Sequence, residues 1–259
     1  MSVQGHTARF CITNSMRVAG TTVTASSAVT SLPAANITNP WRTKVWRATG
    51  KSDEYVQFTL PSAQPVTQVA IFNHNLTSAA TVTILAATNS SFSPTAVTTS
   101  GLTYNSGVLL HHFATTQSYQ YWRIRVQDSG NSNNVELGFA FLGTHVDFDY
   151  RPGFSLKPIH PAIVKRSWDN QKTTYQKSQY RAVGFNIGDA QDISKLDNII
   201  DTIGYGKNFV LILDPGNNAF DEITDGYWRF TFYGSLSSWE NEHRIRGVFN
   251  TPVGFEEAT

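Results

Sequence analysis

Two short segments with alternating apolar residues, separated by a long polar turn, constrain the fold of this chain more than any other feature. In the first segment Trp122, Ile124 and Val126 alternate with arginines. In the second, apolar residues recur at every second position, as Val135, Leu137, Phe139 and Phe141. A period of two is typical of a strand with one buried face. The pattern predicts two strands of a hairpin that closes an antiparallel β-sandwich.

Other segments extend the β pattern over the first 150 residues. Val56, Phe58 and Leu60 alternate before Pro61, residues 69–72 form an apolar run, and residues 82–86 alternate again. Short strands with frequent turns predict antiparallel sheets. Residues 31–50 contain two prolines and few helix-forming residues, so we expect a structured loop there without a regular element.

The composition changes over residues 147–153, where a Ser/Thr-rich sequence gives way to a more charged one with several prolines. We place a domain boundary there, because linkers are commonly rich in proline, glycine and polar residues. A chain of 259 residues has room for two domains of ordinary size. The predicted domains are residues 1–148 and 149–259.

The second domain is predicted to be β-rich with one helix. Apolar residues recur at steps of three and four over residues 192–203, with Asp192 near the start and Gly204 after the end. This spacing predicts an amphipathic helix. Strands are predicted over residues 183–187, 209–213 and 228–232, with a turn at 214–218.

Charge and composition exclude several partners. The formal net charge is +1, and neither half of the chain is basic. Without a concentrated positive surface, counterion release supplies little free energy, so we expect no nucleic-acid partner. No segment approaches the roughly 20 apolar residues of a membrane helix, and no secretion signal is evident, so we expect no membrane partner. The lone Cys11 fits assembly in a reducing cytoplasm.

The first half of the chain resembles a known group of binding modules. The order aromatic-Arg-Ile-Arg-Val, polar loop, Glu-Leu-Gly and apolar strand, over residues 121–142, looks like the closing hairpin of discoidin-like, galactose-binding jelly rolls. The small residues 34–36, followed by Trp41 and Trp46, are similar to the loop and packed Trp of that group. Residues 73–76 resemble its phage-type members. The resemblance implies a jelly roll at residues 1–148.

The second half resembles the hub domains of tailed-phage distal-tail and baseplate proteins. The likeness is the order of a strand, a helix, the strand at 209–213, an acidic turn and the aromatic strand at 228–232. It implies a ring-forming subunit in which a β-barrel-like domain with one helix makes the ring and the sandwich faces outward. Here the jelly roll precedes the hub domain, whereas the commonest distal-tail layout places it after the hub or within it.

The histidines lack the spacing of a metal site. His74, His111 and His112 have no Cys at ligand spacing, and no His-Glu-x-x-His motif occurs. We interpret them as polar loop or strand-edge residues. Neither a Gly-x-Ser-x-Gly motif nor a phosphate-binding Gly-x-x-x-x-Gly-Lys motif is present. No metal, cofactor or enzymatic activity is predicted.

Two pairs of carboxylates are candidates for the acid and base of a glycosidase. Such a pair must flank a sugar-sized cleft, and adjacency in sequence does not create that geometry. Asp147 and Asp149 are interpreted as solvated linker charges. Asp53 and Glu54 form the other pair, and Asp53 near Gly50 is also a candidate ligand for a structural Ca²⁺, although no acidic ladder supports it.

The candidate ligand-binding residues lie in the long loop. A pyranose stacks on Trp while Arg donates to its hydroxyls, which favours Trp41, Arg42, Trp46 and Arg47. The alternative is that at least one of these tryptophans fills the sandwich core, since large aromatic side chains are usually mostly buried.

We therefore expect a structural protein of a phage tail tip or baseplate, assembled in the bacterial host cytoplasm. Its expected partners are further copies of itself in a ring, other tail tube, hub or fibre proteins, and a host glycan. Loops such as residues 36–50 and 128–134 would present the jelly roll to these partners. The alternative function is a carbohydrate-binding adhesin that recognises a host-surface glycan.

Overall fold

The computed structural model describes residues 6–41, 43–99, 102, 104–151, 153–190, 193–213, 230–240, 242–245 and 248–258. These residues form seventeen strands and one α-helix. The strands of the first half are β1 (His6–Asn14), β2 (Thr22–Ala25), β3 (Trp46–Arg47), β4 (Glu54–Phe72), β5 (Thr81–Ala87), β6 (Val97–Thr99), β7 (Val108–Gln127), β8 (Glu136–Leu137) and β9 (Ala140–Tyr150). The later strands are β10 (Ser155–Ile159), β11 (Ala162–Arg166), β12 (Lys172–Gln176), β13 (Tyr180–Ala190), β14 (Phe209–Leu213), β15 (Thr231–Trp239), β16 (Glu242–Ile245) and β17 (Val248–Glu257). The helix α1 spans Ile193–Ile203, and two 3-10 helices span Ser15–Arg17 and Ala34–Thr38.

Thirteen of the described strands belong to one continuous sheet. Its order is β10, β13, β17, β15, β14, β1, β9, β4, β7, β5 and β6, with β2 paired to β4 and β16 paired to β17. Two small ladders, β11 with β12 and β3 with β8, complete the described pairing. The ladders are antiparallel. The prediction of a mainly β chain with an antiparallel jelly-roll sandwich and a helix in its second half is confirmed.

The sandwich forms because β4 and β7 are long enough to belong to both of its layers. They contain 19 and 20 residues and pair along most of their length. Their register shifts between Thr59 and Gln64, so the ladder is interrupted there. Before this shift β4 also pairs with β2, and after it with β9. One core of buried side chains from both layers fills the space between them.

Segments 56–60 and 69–72, predicted as separate strands, are parts of the single strand β4. Pro61 lies in the stretch where β4 and β7 have no paired residues. Proline has no backbone N–H to donate, so it is tolerated where a ladder is already interrupted. The proline therefore interrupts the pairing without ending the strand.

The hairpin predicted over residues 120–143 is wrong. β7 pairs with β4 and β5, and β4 lies between β7 and β9 in the sheet. β8 pairs with β3 instead. Alternation identifies which face of a strand is buried, but it carries no information about which strand lies beside it.

The second alternating segment is also two strands rather than one. Val135 and Leu137 belong to the sandwich core. Two residues later the pattern changes, because Phe139 and Phe141 join a different cluster while Ala140 enters the sandwich core. The face that meets the sandwich core therefore shifts by one residue between β8 and β9. As a result, the start of β9 is buried on both faces.

The second half folds around its own core. Strands β13, β17, β15 and β14 follow one another in the sheet, and the buried face of α1 packs into the same core through Leu196, Ile199 and Ile203. The predicted helix is confirmed, with Ile193 as its first described residue. Gly204, with φ of 53°, follows it and donates its N–H to the Ile200 carbonyl at 2.8 Å. A positive φ at this position is typical of a helix C-terminus.

The strand at 209–213 is confirmed as the buried β14. A strand was predicted at 228–232. Strand β15 starts at Thr231, and Phe230 lies just before it. Trp228 and Arg229 lie outside the described residues, as do the predicted turn at 214–218 and Asp192.

Strand β1 joins the two halves of the chain. It pairs with β9 on one side and with β14 on the other. The Phe10 ring contacts aromatic rings of the second core, namely Phe148, Phe185, Phe209 and Trp239. The predicted domain boundary at residue 148 stays a prediction. Strand β1, which precedes it, contributes side chains to the core of the second half.

A third cluster of buried side chains lies between the two cores. Its closest aromatic pair is Phe139 of the segment before β9 and Tyr233 of β15, whose ring centroids are 4.2 Å apart. Phe72 packs against both rings. Cys11 is fully buried in this cluster, and desolvation raises the pKa of its thiol. The two halves thus meet across a packed apolar contact.

Candidate functional site

Trp46 lies in the sandwich core, where its side chain is fully buried. Its Nε1 donates to the Ser27 carbonyl at 3.0 Å, so the polar edge of the indole is satisfied inside the protein. Strand β3 pairs Trp46 with Leu137. A buried ring has no face for a sugar to stack on. We therefore remove Trp46 from the candidate site and assign it to the core, the alternative that the sequence had left open.

Arg47 is committed to an ion pair on the surface. Its Nε donates to Oε1 of Glu136 at 2.5 Å, across the short β3–β8 ladder. A ligand that used this guanidinium would compete with the carboxylate. Arg42, the other candidate cation, lies outside the described residues.

Trp41 is the candidate that the structure exposes, with 64% of its surface accessible. Its backbone N–H donates to Oδ1 of Asn39 at 3.0 Å, and its carbonyl accepts from Lys44 N–H at 3.0 Å. The Lys44 ammonium lies 5.1 Å from the centre of the indole ring, within the range of a cation–π contact. The Trp41 loop, residues 39–44, thus holds an exposed aromatic ring beside a cation.

The Trp41 loop is braced from both sides. On the sandwich side, Asn36 donates through Nδ2 to the Val45 carbonyl at 2.9 Å. On the other side, the Tyr233 hydroxyl donates to the Pro40 carbonyl at 2.9 Å. Tyr233 belongs to β15 in the second half of the chain, and nothing in the local sequence of the loop indicated this contact. The loop that the sequence assigned to the jelly roll is therefore positioned partly by the other half of the protein.

The two loops expected to present the jelly roll lie against each other. Ala48 N–H donates to the Val135 carbonyl at 2.9 Å, and Val135 N–H donates to the Gly50 carbonyl at 3.1 Å. The Lys51 ammonium hydrogen-bonds to the Asn131 carbonyl, which joins the loops a second time. Residues 36–50 and 128–134 thus form one end of the sandwich.

A buried carboxylate organises the second of these loops. Asp128 accepts from the hydroxyl and the N–H of Thr77, at 2.6 and 2.8 Å, and from Asn131 Nδ2 at 3.0 Å. Asn131 also donates to the Asn75 carbonyl at 2.9 Å. Because both Asp128 and Asn131 are buried, these bonds satisfy groups that would otherwise be costly to desolvate. The network holds the loop in one conformation.

The Asp53 and Glu54 carboxylates point to separate partners. Asp53 forms two hydrogen bonds to Arg125, at 2.6 and 2.7 Å, which lower the pKa of its carboxyl group. Glu54 is buried and accepts from the hydroxyls of Ser26 and Ser27. Both carboxylates have structural partners, which accounts for them without a Ca²⁺ ion or a glycosidase cleft.

Asp147 and Asp149 are exposed, as expected of solvated charges, but they lie within strand β9 and not in a linker. Asp147 binds both Nε and Nη2 of Arg9, at 2.9 and 2.8 Å. The Arg9 side chain is only 10% exposed, and its Nη1 also donates to Oε1 of Gln68 at 3.3 Å. Asp149 accepts from the Thr7 hydroxyl at 3.3 Å. Both aspartates therefore help to hold β1 against β9.

Two histidines extend this polar group where β9, β4 and β7 run side by side. His145 Nδ1 lies 2.7 Å from the Thr67 hydroxyl, and its ring centroid is 5.3 Å from that of His112. Desolvation, and then the positive charge of Arg9, lower the pKa of His145 to about 4. The same two causes lower the pKa of His112. His145 was not among the candidate residues predicted from the sequence.

His74 is a largely buried loop residue, and desolvation lowers the pKa of its imidazole. Its Nε2 lies 2.8 Å from the Asn105 carbonyl. Within the described ranges no group of three or more His, Cys, Asp or Glu side chains is arranged to hold a metal ion. The described helix is too short and too polar to cross a membrane.

Residues 155–177 form an arm that was not predicted from the sequence. β10 is the edge strand paired to β13, and beyond it β11 and β12 form a hairpin of their own. All ten residues of β11 and β12 are exposed. The exposed apolar side chains of the arm are Leu156, Ile163, Val164, Trp168 and Tyr175. A Ser-Trp-Asp-Asn turn between two segments with β-branched residues was the signal that could have revealed it.

The tip of the arm is an ordered turn. Ser167 N–H donates to the Gln171 carbonyl at 3.0 Å, and Asn170 N–H donates to the Ser167 carbonyl at 2.9 Å. Arg166 Nη1 donates to Oδ1 of Asn170 at 2.8 Å. Asn170 has a positive φ of 65°, a conformation that Asn adopts more readily than most residues. Trp168 stands at this tip with its side chain fully exposed.

No protein-family model and no curated protein sequence matches the chain. Among solved structures, about half of the chain is similar to chitosan-binding module 1 of a chitosanase/glucanase from Paenibacillus sp. IK-5. The two share 21% sequence identity over 48% of this chain and 94% of that module, with a TM-score of 0.41. Chitosan-binding module 2 of the same enzyme, in complex with chitotriose, shares 15% identity over 48% of this chain and 95% of the module, with a TM-score of 0.40.

A GH29 fucosidase from Ruminococcus gnavus is similar over a comparable part of this chain. It shares 11% identity over 52% of this chain, with a TM-score of 0.43. The similarity extends over 27% of the fucosidase.

Proposed function

We propose that the protein is a structural subunit of a phage tail tip or baseplate, which assembles through its arm and displays the jelly roll outward. The observation that carries this proposal is the exposure of β11 and β12 on both faces. Both large cores are formed without the arm. Its apolar side chains are therefore free to contact another subunit.

Physical arguments favour a partner for the arm. An isolated two-stranded hairpin is marginally stable in water, and contact with a further surface stabilises it. Contiguous exposed apolar side chains commonly mark interaction sites. Trp168 and Tyr175 are of the residue types that contribute most to protein interfaces. The arm thus has the properties of an assembly element.

The particular assembly is proposed from the sequence. The order of strands and helix from residue 183 onward resembles phage hub domains, and such a subunit would form a ring at the distal end of the tail. The loops at 36–50 and 128–134, held together at one end of the sandwich, would contact fibres or other tail proteins. The proposed location is the virion tail tip, after assembly in the bacterial cytoplasm.

The test compares the full chain with a variant in which residues 161–177 are replaced by a short Gly-Ser turn. Light scattering over a range of concentrations, with negative-stain imaging, measures the oligomeric state. We expect the full chain to form closed rings and the variant to remain monomeric with its fold intact. Trp41→Ala is the matched control and should still assemble. Rings formed equally well without the arm would overturn the proposal, and so would a full chain that stays monomeric throughout.

The second candidate function is carbohydrate binding at Trp41. It is favoured by the exposed indole face on a braced loop, with the Lys44 ammonium beside it. An aromatic face of this kind stacks against the apolar face of a pyranose, and the ammonium donates to hydroxyl groups. The ligand expected for such a site is a glycan on the surface of the host cell.

A glycan array read with the full chain tests this second function. Signal that disappears in Trp41→Ala and persists in Trp168→Ala would support it, because both variants remove an exposed tryptophan. Equal signal from the two variants on every bound glycan would assign binding to another part of the protein. The absence of any signal over a broad array would reject this second function.

A further inference from the structure

We propose that the arm of one copy docks on the acidic outer face of α1 in a second copy. This inference rests on the proposed function, since it names the surface that the assembly element contacts. The second copy is the chosen occupant because the two surfaces have opposite charges and matching spacings.

The arm is locally basic, although the chain as a whole is almost neutral. Residues 155–177 contain five Lys and Arg against one Asp. Arg166 of β11 and Lys172 of β12 lie directly opposite each other in the ladder. Like charges in directly opposed positions destabilise a hairpin. An anionic partner placed against both side chains would remove that repulsion.

The acidic surface is the exposed face of α1. Residues 189–225 contain eight Asp and Glu against two Lys. Within the described part of this segment, Asp197 and Asp201 stand on the exposed face of α1, opposite the residues that pack into the core. Their side chains are one helical turn apart and so lie on one line along the helix. Tyr205, which follows the helix, is 55% exposed.

The two surfaces match in spacing as well as in charge. Side chains directly opposite in an antiparallel pair have Cβ atoms about 5 Å apart, and residues at i and i+4 on a helix have Cβ atoms about 6 Å apart. Arg166 and Lys172 can therefore meet Asp197 and Asp201 in two parallel ion pairs. Tyr205 would then meet an apolar side chain of the arm, such as Val164, which lies on the same face as Arg166.

The contact is heterologous, because the arm and α1 are different surfaces. Repetition of a heterologous contact produces a ring when the rotation between subunits closes, and a filament when it does not. The proposed contact therefore generates the kind of assembly that a ring-forming subunit requires. Because the pairs are exposed, added salt should weaken the assembly.

The test is charge reversal of each surface in the full chain. Arg166→Glu with Lys172→Glu should raise the concentration needed for half-assembly at least about tenfold, because two ion pairs per contact become repulsive. Asp197→Lys with Asp201→Lys should do the same. The chain that carries all four substitutions should assemble as the wild type does. A thermal melt of each variant checks that the fold is retained.

The matched control is Lys165→Glu with Lys177→Glu. Lys165 lies on the opposite face of β11 from Arg166, and Lys177 directly follows β12, so the control makes the same change in net charge without substituting Arg166 or Lys172. It should assemble within about threefold of the wild type, as expected for exposed substitutions that change stability by less than ~0.5 kcal/mol.

Three results overturn the inference. If both reversed pairs assemble normally while removal of the arm abolishes assembly, the arm contacts another surface and the proposed function stands. If each reversed pair fails and the fourfold variant is not restored, the two surfaces do not meet. If the wild-type chain forms no oligomer, or removal of the arm leaves assembly unchanged, the proposed function fails together with this inference.

Discussion

The Trp41 loop and the arm both present an exposed tryptophan, but the protein holds them in different ways. The Trp41 loop is tied to the sandwich through Asn36 and to the second half through Tyr233. The hairpin of the arm has its described hydrogen bonds within residues 161–177, and none of its residues belongs to the cores that the described residues form. The first is therefore fixed before any ligand arrives, whereas the second would gain stability from a contact.

This difference separates two kinds of recognition. A preorganised loop loses little conformational entropy on binding, so a small ligand with few contacts is sufficient. A hairpin without support must gain more from its contact, and a large surface such as another subunit can supply that free energy. The same residue type can thus serve either role, according to how the backbone beneath it is held.

The largest effect on stability should follow removal of the Trp46 side chain from the sandwich core. Trp46→Ala leaves a cavity where the indole was buried, and we expect a loss of about 3–5 kcal/mol in the free energy of unfolding. Urea denaturation followed by circular dichroism measures it. A loss below about 1 kcal/mol would show that Trp46 does not support the sandwich.

A pH-dependent effect should come from the polar group that Arg9, Asp147, His112 and His145 form where β1, β9, β4 and β7 lie side by side. The pKa of His145 is about 4 in the folded chain and 6.5 as its ordinary value. Between these values the unfolded chain binds more protons than the folded one, so stability should fall as the pH is lowered from about 6.5 to about 4.

Urea denaturation of the wild type and of His145→Gln, at a series of pH values in this window, measures the contribution of His145. The variant should show a shallower dependence on pH. Equal slopes for the wild type and His145→Gln would contradict the prediction.

A smaller effect on stability should come from the hydrogen bond between Tyr233 and Pro40. Tyr233→Phe removes the hydroxyl that donates to Pro40 and keeps the aromatic ring in its cluster. We expect a loss of about 0.5–1.5 kcal/mol in stability, with faster amide exchange in the Trp41 loop. Hydrogen exchange read by mass spectrometry measures both. Unchanged exchange over residues 39–44 would show that the loop is held without Tyr233.

The smallest effect on the isolated subunit should come from the arm. Trp168 is fully exposed, so Trp168→Ala should change the stability of the monomer by less than about 0.5 kcal/mol. Denaturation at a concentration below assembly measures it. A larger loss would mean that the arm packs on its own subunit, and the contrast with the Trp41 loop would then disappear.

Local sequence patterns predicted most of the strands and the helix, but not which strands pair with each other. The three- and four-residue spacing located α1, and the apolar run at 209–213 located β14, because burial of one face determines both patterns. The partners of β7 and the break between β8 and β9 were not predicted. They depend on which strands meet in the tertiary fold, and β4 enters the sheet between segments that are close in sequence.

The candidate site was predictable in part for the same reason. An aromatic-rich loop indicated the region, but composition cannot distinguish the buried Trp46 from the exposed Trp41 five residues earlier. Tyr233 braces the loop from 193 residues away in sequence, beyond the reach of any local pattern. The arm was missed because no buried face imposes a period on its residues.

The position of β1 has a consequence for how the chain folds as it is synthesised. Residues 6–14 leave the ribosome early, but their partners in β9 and β14 follow only after residues 140 and 209. Until then the apolar side chains Phe10 and Cys11 have no native surface to cover them. The strand that holds the two halves together is thus made before both of its neighbours and can be placed only after β14 has been made, so the contact between the halves forms late in synthesis.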